Sequence, residues 1–476
     1  MNTINQLIQC METEYSDRTA FQYYDGGSVH SIRYASLVHD IRQCAGFLLK
    51  RFPGVEGKHI GICADSSYQY MVHFLAILYA KAVVVPLNPM ETEDVLQYEI
   101  EYSDMIGIFV DEDFWQTRLE FGQVVRMTFQ EYQEYEGDFD TWKEEDMPEN
   151  RTEILLFTSG TTGRNKGVLL SQKSMFTVLR TFTSQLKLLE RTMKEDVLRS
   201  FLVVPMYHVS GIVMILSELS KGVVINICGD AKYLYRDLKH MKSDHILVVP
   251  TILKAFYRDL TRGKRERLGD LSAIHCCGAM VDAKMLDAFR KHGITIVQAY
   301  GLTESFGNGT VNTYENEEKL ASVGLPGASC EIRIKDGEVL IRGDSLMMGY
   351  YKNPEETRTV LKDGWLYTGD LGYLDSDGYL YLTGRKKNLI ILSGGENVSP
   401  EELEQEILRC GQMQDVLVKQ ENDKICAVIY CDSSRQGAVR QHISDLNRKM
   451  PYYKRITKIV FAQQPLERTA TGKLKR

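Results

Sequence analysis

A chain of 476 residues exceeds what one hydrophobic core organises, so at least two domains are expected. Its 57 basic and 64 acidic residues leave a net charge of −7, which speaks against nucleic acid as a partner. The ten cysteines are scattered with no C-x-x-C pair, so neither a disulfide framework nor a zinc site is indicated and a reducing cytoplasm fits best.

The chain opens on "MNTINQLIQCMETEY", with Ile4, Leu7, Ile8 and Met11 at helical spacing and acids among them, which predicts an amphipathic helix rather than a signal peptide. No run approaches the roughly 20 apolar residues of a membrane span. The longest, Met71 to Pro86, is interrupted by His73 and Lys81. "HIGICA" predicts a strand, Tyr68 to Ala80 an apolar helix and "VVVPLN" a second strand. "ILLF", "FLVVP", "VVINIC", "HILVVP", "AIHCC" and "ITIVQAYG" follow, mostly separated by helical patterns. That alternation is the signature of layered α/β sheets with buried, parallel strands, whose ligands bind beyond the strands' carboxyl ends.

The texture changes after about residue 325. "EIRIKDGEVLIRG" and "GYLDSDGYLYLTG" predict two hairpins with Asp-Gly turns at Asp336-Gly337 and Asp377-Gly378. A charged joint, "RKKN", then leads through a strand and a Gly-Gly loop to a helix starting near Ser399-Pro400. The expected organisation is a large N-terminal domain, 1–384, carrying a β-hairpin-rich subdomain, and a small mobile α+β domain, 385–476.

Directly after "ILLF" stands "TSGTTGRNKG", Thr158 to Gly167. Its glycines let backbone amides approach a polyanion, its hydroxyls add donors, and Lys166 adds a compact cation. The P-loop template G-x-x-x-x-G-K-[ST] fails, because Asn165 stands five positions after Gly160 and Gly167 follows Lys166. Alone, the loop fits either a phosphate cradle or a solvated turn.

The motifs around it resemble the adenylate-forming enzymes, which comprise acyl- and aryl-CoA ligases, adenylation domains of peptide synthetases, and firefly luciferase. Besides the loop, the family's order is kept by "PMYHVSG" (Pro205 to Gly211), "YGLTE" (Tyr300 to Glu304), "YTGD" (Tyr367 to Asp370), "GRKKNLIILSGGENVSPEELE" and "TATGK" (Thr469 to Lys473). The resemblance implies that a carboxylate attacks the α-phosphate of ATP, and that a thiol then displaces AMP from the acyl-adenylate. It assigns Thr158, Ser159, Gly160, Thr161, Thr162, Gly163 and Lys166 to the leaving pyrophosphate, and Glu304 with Thr158 to Mg²⁺. Thr303 would donate to the α-phosphate, and Tyr300 with Gly301, Gly278 and Ala279 would flank adenine. Asp370, helped by Arg385, would accept the ribose hydroxyls. Lys473 would bridge carboxylate and phosphate oxygens, and Gly394 and Gly395 would line the path of a pantetheine arm. The small domain would pivot near Arg385–Lys387 between the two steps. Two departures stand out: Asn165 takes the place of a frequent proline, making a less rigid backbone, and "CCGAM" replaces a Gly-Gly-Ala stretch.

Amino-acid-activating relatives place an aspartate just after the aromatic of the "PMYHVSG" region. Here His208 follows Tyr207 and no acid precedes Glu218, so a buried ammonium would lack its partner. Tyr207, Val213 and Met214 instead suggest an apolar wall, with Gly307 and Gly309 leaving room beyond Glu304 and His208 gating the thiol or serving as core. The expected substrate is a fatty or aryl carboxylic acid, and the acceptor is CoA or the phosphopantetheine of a carrier protein acting in trans. Amino-acid adenylation, a luciferase-like oxygenase and a nucleotide sensor are the rival readings.

Overall fold

The computed structural model describes residues 1–111, 119–135, 151–158, 164–190, 197–277, 283–327, 329–392, 396–421, 424–468 and 474. They form two compact units, one of Met1–Glu331 with Ile341–Leu366, the other of Ile332–Leu340 with Tyr367–Arg476.

In the first unit the helix Ile4–Tyr15 buries the four predicted residues Ile4, Leu7, Ile8 and Met11, and Thr3 caps it by accepting the Gln6 N–H at 3.2 Å. The helix Tyr68–Tyr79 is buried on almost every side, as its unbroken apolar sequence requires. Lys81, at φ 60°, takes the chain out of it.

Two large sheets flank these helices. Among the described residues the first has nine strands, in the order Leu325–Pro326, Gly309–Asn312, Thr295–Gly301, Ala273–Cys277, His245–Val248, Arg199–Leu202, Val224–Ile227, Thr19–Asp25 and Ser28–Arg33. The second has seven, in the order Gly349–Tyr350, Lys166–Ser171, Thr152–Thr158, Val83–Leu87, His59–Cys63, Gly107–Val110 and Val125–Met127. Pairing is parallel through both centres, where strands such as Val83–Leu87 are buried along their whole length. It turns antiparallel at both margins of the first sheet and at the Lys166–Ser171 side of the second, whose other margin stays parallel. The layered α/β fold anticipated from the alternating pattern is therefore present, with antiparallel borders the pattern did not reveal.

In the second unit Asp336 and Gly337 sit at φ 53° and 77°, the tight Asp-Gly hairpin expected. The other hairpin also turns at Asp377-Gly378, through a longer loop. The strands Trp365–Leu374 and Leu380–Arg385 are joined through Asp375–Tyr379, where Asp375 Oδ1 accepts the N–H groups of Asp377 and Tyr379, each at 3.0 Å. The backbone closes it too, Gly378 N–H donating to Asp375 O at 3.1 Å and Asp375 N–H to Tyr379 O at 3.0 Å, with Gly378 at φ 83°. Beyond lies a three-stranded sheet of Asp415–Glu421, Lys424–Tyr430 and Ile456–Phe461, with the helices Pro400–Leu408 and Gln436–Lys449. Ser399 caps the first of these helices and Pro400 opens it, as read from the sequence.

All ten cysteines are free, and Cys63, Cys228 and Cys426 are buried. Among the described residues no helix is long and apolar enough to cross a membrane.

Candidate active site

The Gly/Thr loop joins two antiparallel strands in register, Thr158 opposite Lys166. It is thus the tip of a hairpin, not the strand-to-helix turn of a P-loop, and no helix dipole follows it. Whatever charge it offers a phosphate comes from amides, hydroxyls and Lys166. Ser159, Gly160, Thr161, Thr162 and Gly163 lie outside the described residues.

The exit of the loop is held by three consecutive side chains. Arg164 lies over the Tyr98 ring, 5.2 Å from its centroid. Asn165 Nδ2 donates to Glu99 Oε1 at 2.8 Å. Lys166 ion-pairs with Glu356 and stands over the Tyr350 ring, 5.2 Å from the centroid. Asn165 therefore tethers the loop through its side chain where the family often relies on a proline ring, and the expected loss of rigidity is offset. Burial pushes the Glu99 carboxyl up to about 7, while the Asn165 hydrogen bond opposes the shift.

Residues 347–351 carry this arrangement to Glu304. Met348 N–H donates to Leu169 O at 2.8 Å and Tyr351 N–H to Gly167 O at 2.7 Å, stitching the segment onto the strand of Lys166. Met347 N–H donates to Glu304 O at 2.8 Å, and the Tyr350 hydroxyl donates to Glu304 Oε1 at 2.9 Å. Burial, and then the Glu304 carboxylate, raise the Tyr350 phenol above its ordinary range, so it remains a donor. Thr303 and Glu304 lie on one short 3₁₀ turn, Thr303–Ser305, directly after the strand ending at Tyr300 and Gly301. Lys166 and Glu304, 138 positions apart by number, are brought to one phenol, the ammonium over its ring and the carboxylate on its hydroxyl. Glu304 offers a half-exposed carboxylate, the hard oxygen donor that Mg²⁺ takes.

His208 is the N-cap of the helix Val209–Leu219, its Nδ1 accepting the Ser210 N–H at 3.3 Å. The ring is half-buried, so it is neither core nor free surface. Val213 and Met214 are almost fully buried on that helix. Gly307, at φ +77°, turns its missing Cβ toward Val209 and Val213, each 3.9 Å away. Gly309 has a different reason from the one expected: a Cβ there would meet Tyr300 O at 2.3 Å, so it serves close strand pairing rather than pocket room. Tyr207 is half-buried, and its phenol is pushed up to about 12 by burial and then by the carboxylates of Asp65 and Glu91.

In the second unit Asp370 and Arg385 are cross-strand partners, with Arg385 Nε 2.5 Å from Asp370 Oδ1. Glu338, which the motifs did not point to, accepts the Gly369 N–H at 3.0 Å and the Lys386 ammonium at 2.9 Å. It thereby orients the turn that presents Asp370. Gly278, Ala279, Gly394, Gly395 and Lys473 lie outside the described residues.

Sequence reasoning also missed Tyr350 and Glu356. Both stand in "GYYKNPEET", where Asn-Pro announces a helix start but nothing announces a contact with residues 46 and 190 positions away.

This combination defines an α/β enzyme with a phosphate-type hairpin loop beside a candidate metal carboxylate. Residues 9–351 match the family of AMP-binding enzymes, and the chain belongs to that family. The protein 4-coumarate–CoA ligase-like 9 of Arabidopsis thaliana is 30% identical over 410 residues, 80% of this chain and 72% of its own length. A long-chain-fatty-acid–CoA ligase of Bacillus subtilis is 24% identical, covering 100% of this chain and 93% of its own. A 2-succinylbenzoate–CoA ligase of Bacillus cytotoxicus is 28% identical over 88% of both. Among solved structures, ATP-bound MatB from Rhodopseudomonas palustris shares the fold with a TM-score of 0.85, at 24% identity over 100% of this chain and 97% of its own. The O-succinylbenzoate CoA synthetase MenE from Bacillus subtilis, in complex with ATP and magnesium ion, gives 0.81 at 23% identity over 99% and 98%.

Proposed function

We propose that this enzyme, an acid–thiol ligase, activates a fatty or aryl carboxylic acid with ATP and passes the acyl group to CoA. The observation that carries this reading is the chain of contacts from Lys166 through Tyr350 to Glu304, which gathers a cation and a hard carboxylate around one tyrosine. Glu304, with Thr158, would hold Mg²⁺, which when bound neutralises phosphate charge. Lys166 and the loop hydroxyls bind the departing pyrophosphate, and Thr303 donates to the α-phosphate as the acid's oxygen attacks it. Tyr300, Gly301, Gly278 and Ala279 hold adenine, and Asp370, kept in place by Arg385, accepts the ribose hydroxyls. Lys473 bridges carboxylate and phosphate during this step. Residues 385–476 then pivot near Arg385–Lys387, bringing Gly394 and Gly395 to the thiol's path while His208 borders it. The ten free cysteines support a reducing cytoplasm as the setting.

The apolar side chains Val213 and Met214 favour an acid without an α-amino group, since an ammonium entering there would be unpaired. The test measures pyrophosphate release with ATP, Mg²⁺ and matched fatty acids, aryl acids and amino acids, followed by mass analysis of the thioester. Selectivity among chain lengths is expected to be soft, because each buried methylene contributes only about 0.8 kcal/mol. An α-amino acid outpacing its deaminated analogue would overturn the substrate class. Faster transfer to a phosphopantetheinylated carrier protein than to CoA would overturn the acceptor.

A further inference from the structure

Glu356 stands in the first turn of the helix Pro354–Val360, and its backbone N–H is held by Asn353 Oδ1 at 3.1 Å. That cap fixes where the side chain starts. From there its carboxylate reaches Lys166, whose side chain is only 14% exposed against 32% for Glu356. On its other side the ammonium lies over Tyr350, whose hydroxyl is committed to Glu304. Lys166 is therefore fixed in position by two neighbours, and one of them cancels its charge. Partial burial makes that cancellation matter, since screening by water is weaker than at an open surface.

We propose that Glu356 is the positioning residue and counter-ion of Lys166, and that it weakens the hold of this site on polyphosphate so that pyrophosphate leaves. The inference rests on the reading that Lys166 binds pyrophosphate, and adds a residue that no motif assigns. A carboxylate beside the ammonium repels each incoming phosphate oxygen while keeping the cation aimed. A lysine without that partner would hold the β- and γ-phosphates more tightly, and the leaving group would stay longer.

The experiment is calorimetric titration of the full-length protein with magnesium pyrophosphate and with ATP. Glu356→Gln keeps size and an acceptor oxygen but removes the charge, so it is expected to bind pyrophosphate about tenfold more tightly. Its KM for ATP and its kcat should fall together, because release is slowed. Glu356→Asp, which restores the charge, should return toward wild type. In a Lys166→Met background Glu356→Gln should tighten binding less than in wild type, because only the direct repulsion is then relieved and no cation is freed. Pyrophosphate affinity equal to or below wild type in Glu356→Gln, with Lys166→Met itself weakened, overturns the counter-ion role alone. Wild-type affinity in Lys166→Met overturns the assignment of Lys166, and this inference with it.

Discussion

Glu304 shows how one side chain is placed by several unrelated constraints. Its backbone carbonyl is held by Met347 and one carboxylate oxygen by Tyr350. Both partners belong to the segment 347–351, whose Gly349–Tyr350 is an edge strand of the second sheet. Replacing Glu304 by Gln removes a hard anionic ligand while keeping the shape. The Mg²⁺ concentration for half-maximal adenylation should rise at least about tenfold, as expected when a charged contact worth about 1.5–3 kcal/mol is lost. Tyr350→Phe leaves the carboxylate in place but unoriented, so its shift should lie between that of Glu304→Gln and wild type. An unchanged Mg²⁺ titration for Glu304→Gln would remove the metal role from this residue. At this scale Thr303, Glu304 and Lys166 were singled out by their motifs as candidates, and the structure gathers Glu304 and Lys166 around Tyr350. Tyr350 and Glu356 were not, because a tyrosine before an Asn-Pro helix start carries no sign of what it touches.

The helix Val209–Leu219 joins two environments. Its first residues border His208 and the candidate acyl wall, whereas Glu218 near its end is wholly buried against the nine-stranded sheet. Glu218 Oε1 lies 3.5 Å from His245 Nε2, and His245 faces His275 edge-on at 5.6 Å. Burial pushes Glu218 up to about 8, lowers His275 to about 4 and drives His245 well below its ordinary value. At neutral pH the contact is thus between two neutral groups and not an ion pair, whatever its distance suggests. Burial also raises Glu99 and Glu153 to about 7, against the Asn165 hydrogen bond in the first case and the Arg151 ion pair in the second. A carboxyl whose folded pKa lies above its unfolded value stabilises fully below the unfolded value, and that contribution is lost as pH rises through the folded one. Stability should therefore fall between about pH 5 and 8 on account of Glu218. Glu218→Gln, which cannot ionise, should gain on wild type by about 1–3 kcal/mol between pH 6 and 8.5, read from denaturant unfolding at both values. A difference independent of pH would show that Glu218 is charged, or not titrating, within the fold.

For the molecule as a whole, the second unit contains a core that closes on itself. Ile390, Val398, Leu403, Ile407, Val416, Val418, Ile425, Ala427, Ile429, Val439, Ile443 and Ile456 pack together, and all lie beyond residue 385. The hairpin strands before them are grouped with this unit by proximity, yet none of their residues belongs to that cluster. We accordingly propose 385–476 as the small domain. Expressed as a fragment, it should give a mixed helix and strand circular dichroism spectrum and one cooperative thermal transition. A fragment that folds only when extended to residue 367 would move the boundary to the hairpin.

What the sequence determined is what depends on neighbours along the chain: apolar runs that become buried strands, caps at Thr3 and Ser399, the tight turn at Asp336-Gly337, and the motifs that carry the family resemblance. Strand direction at the sheet borders was decided by tertiary structure, because an apolar run reads the same whichever way its partner runs. So was the Asn165–Glu99 tether, which compensates at a distance for a missing proline. The pairing of Lys166 with Glu356 across 190 positions belongs there too. Charge meets charge only where the fold brings it, and burial then decides how strongly each partner is felt.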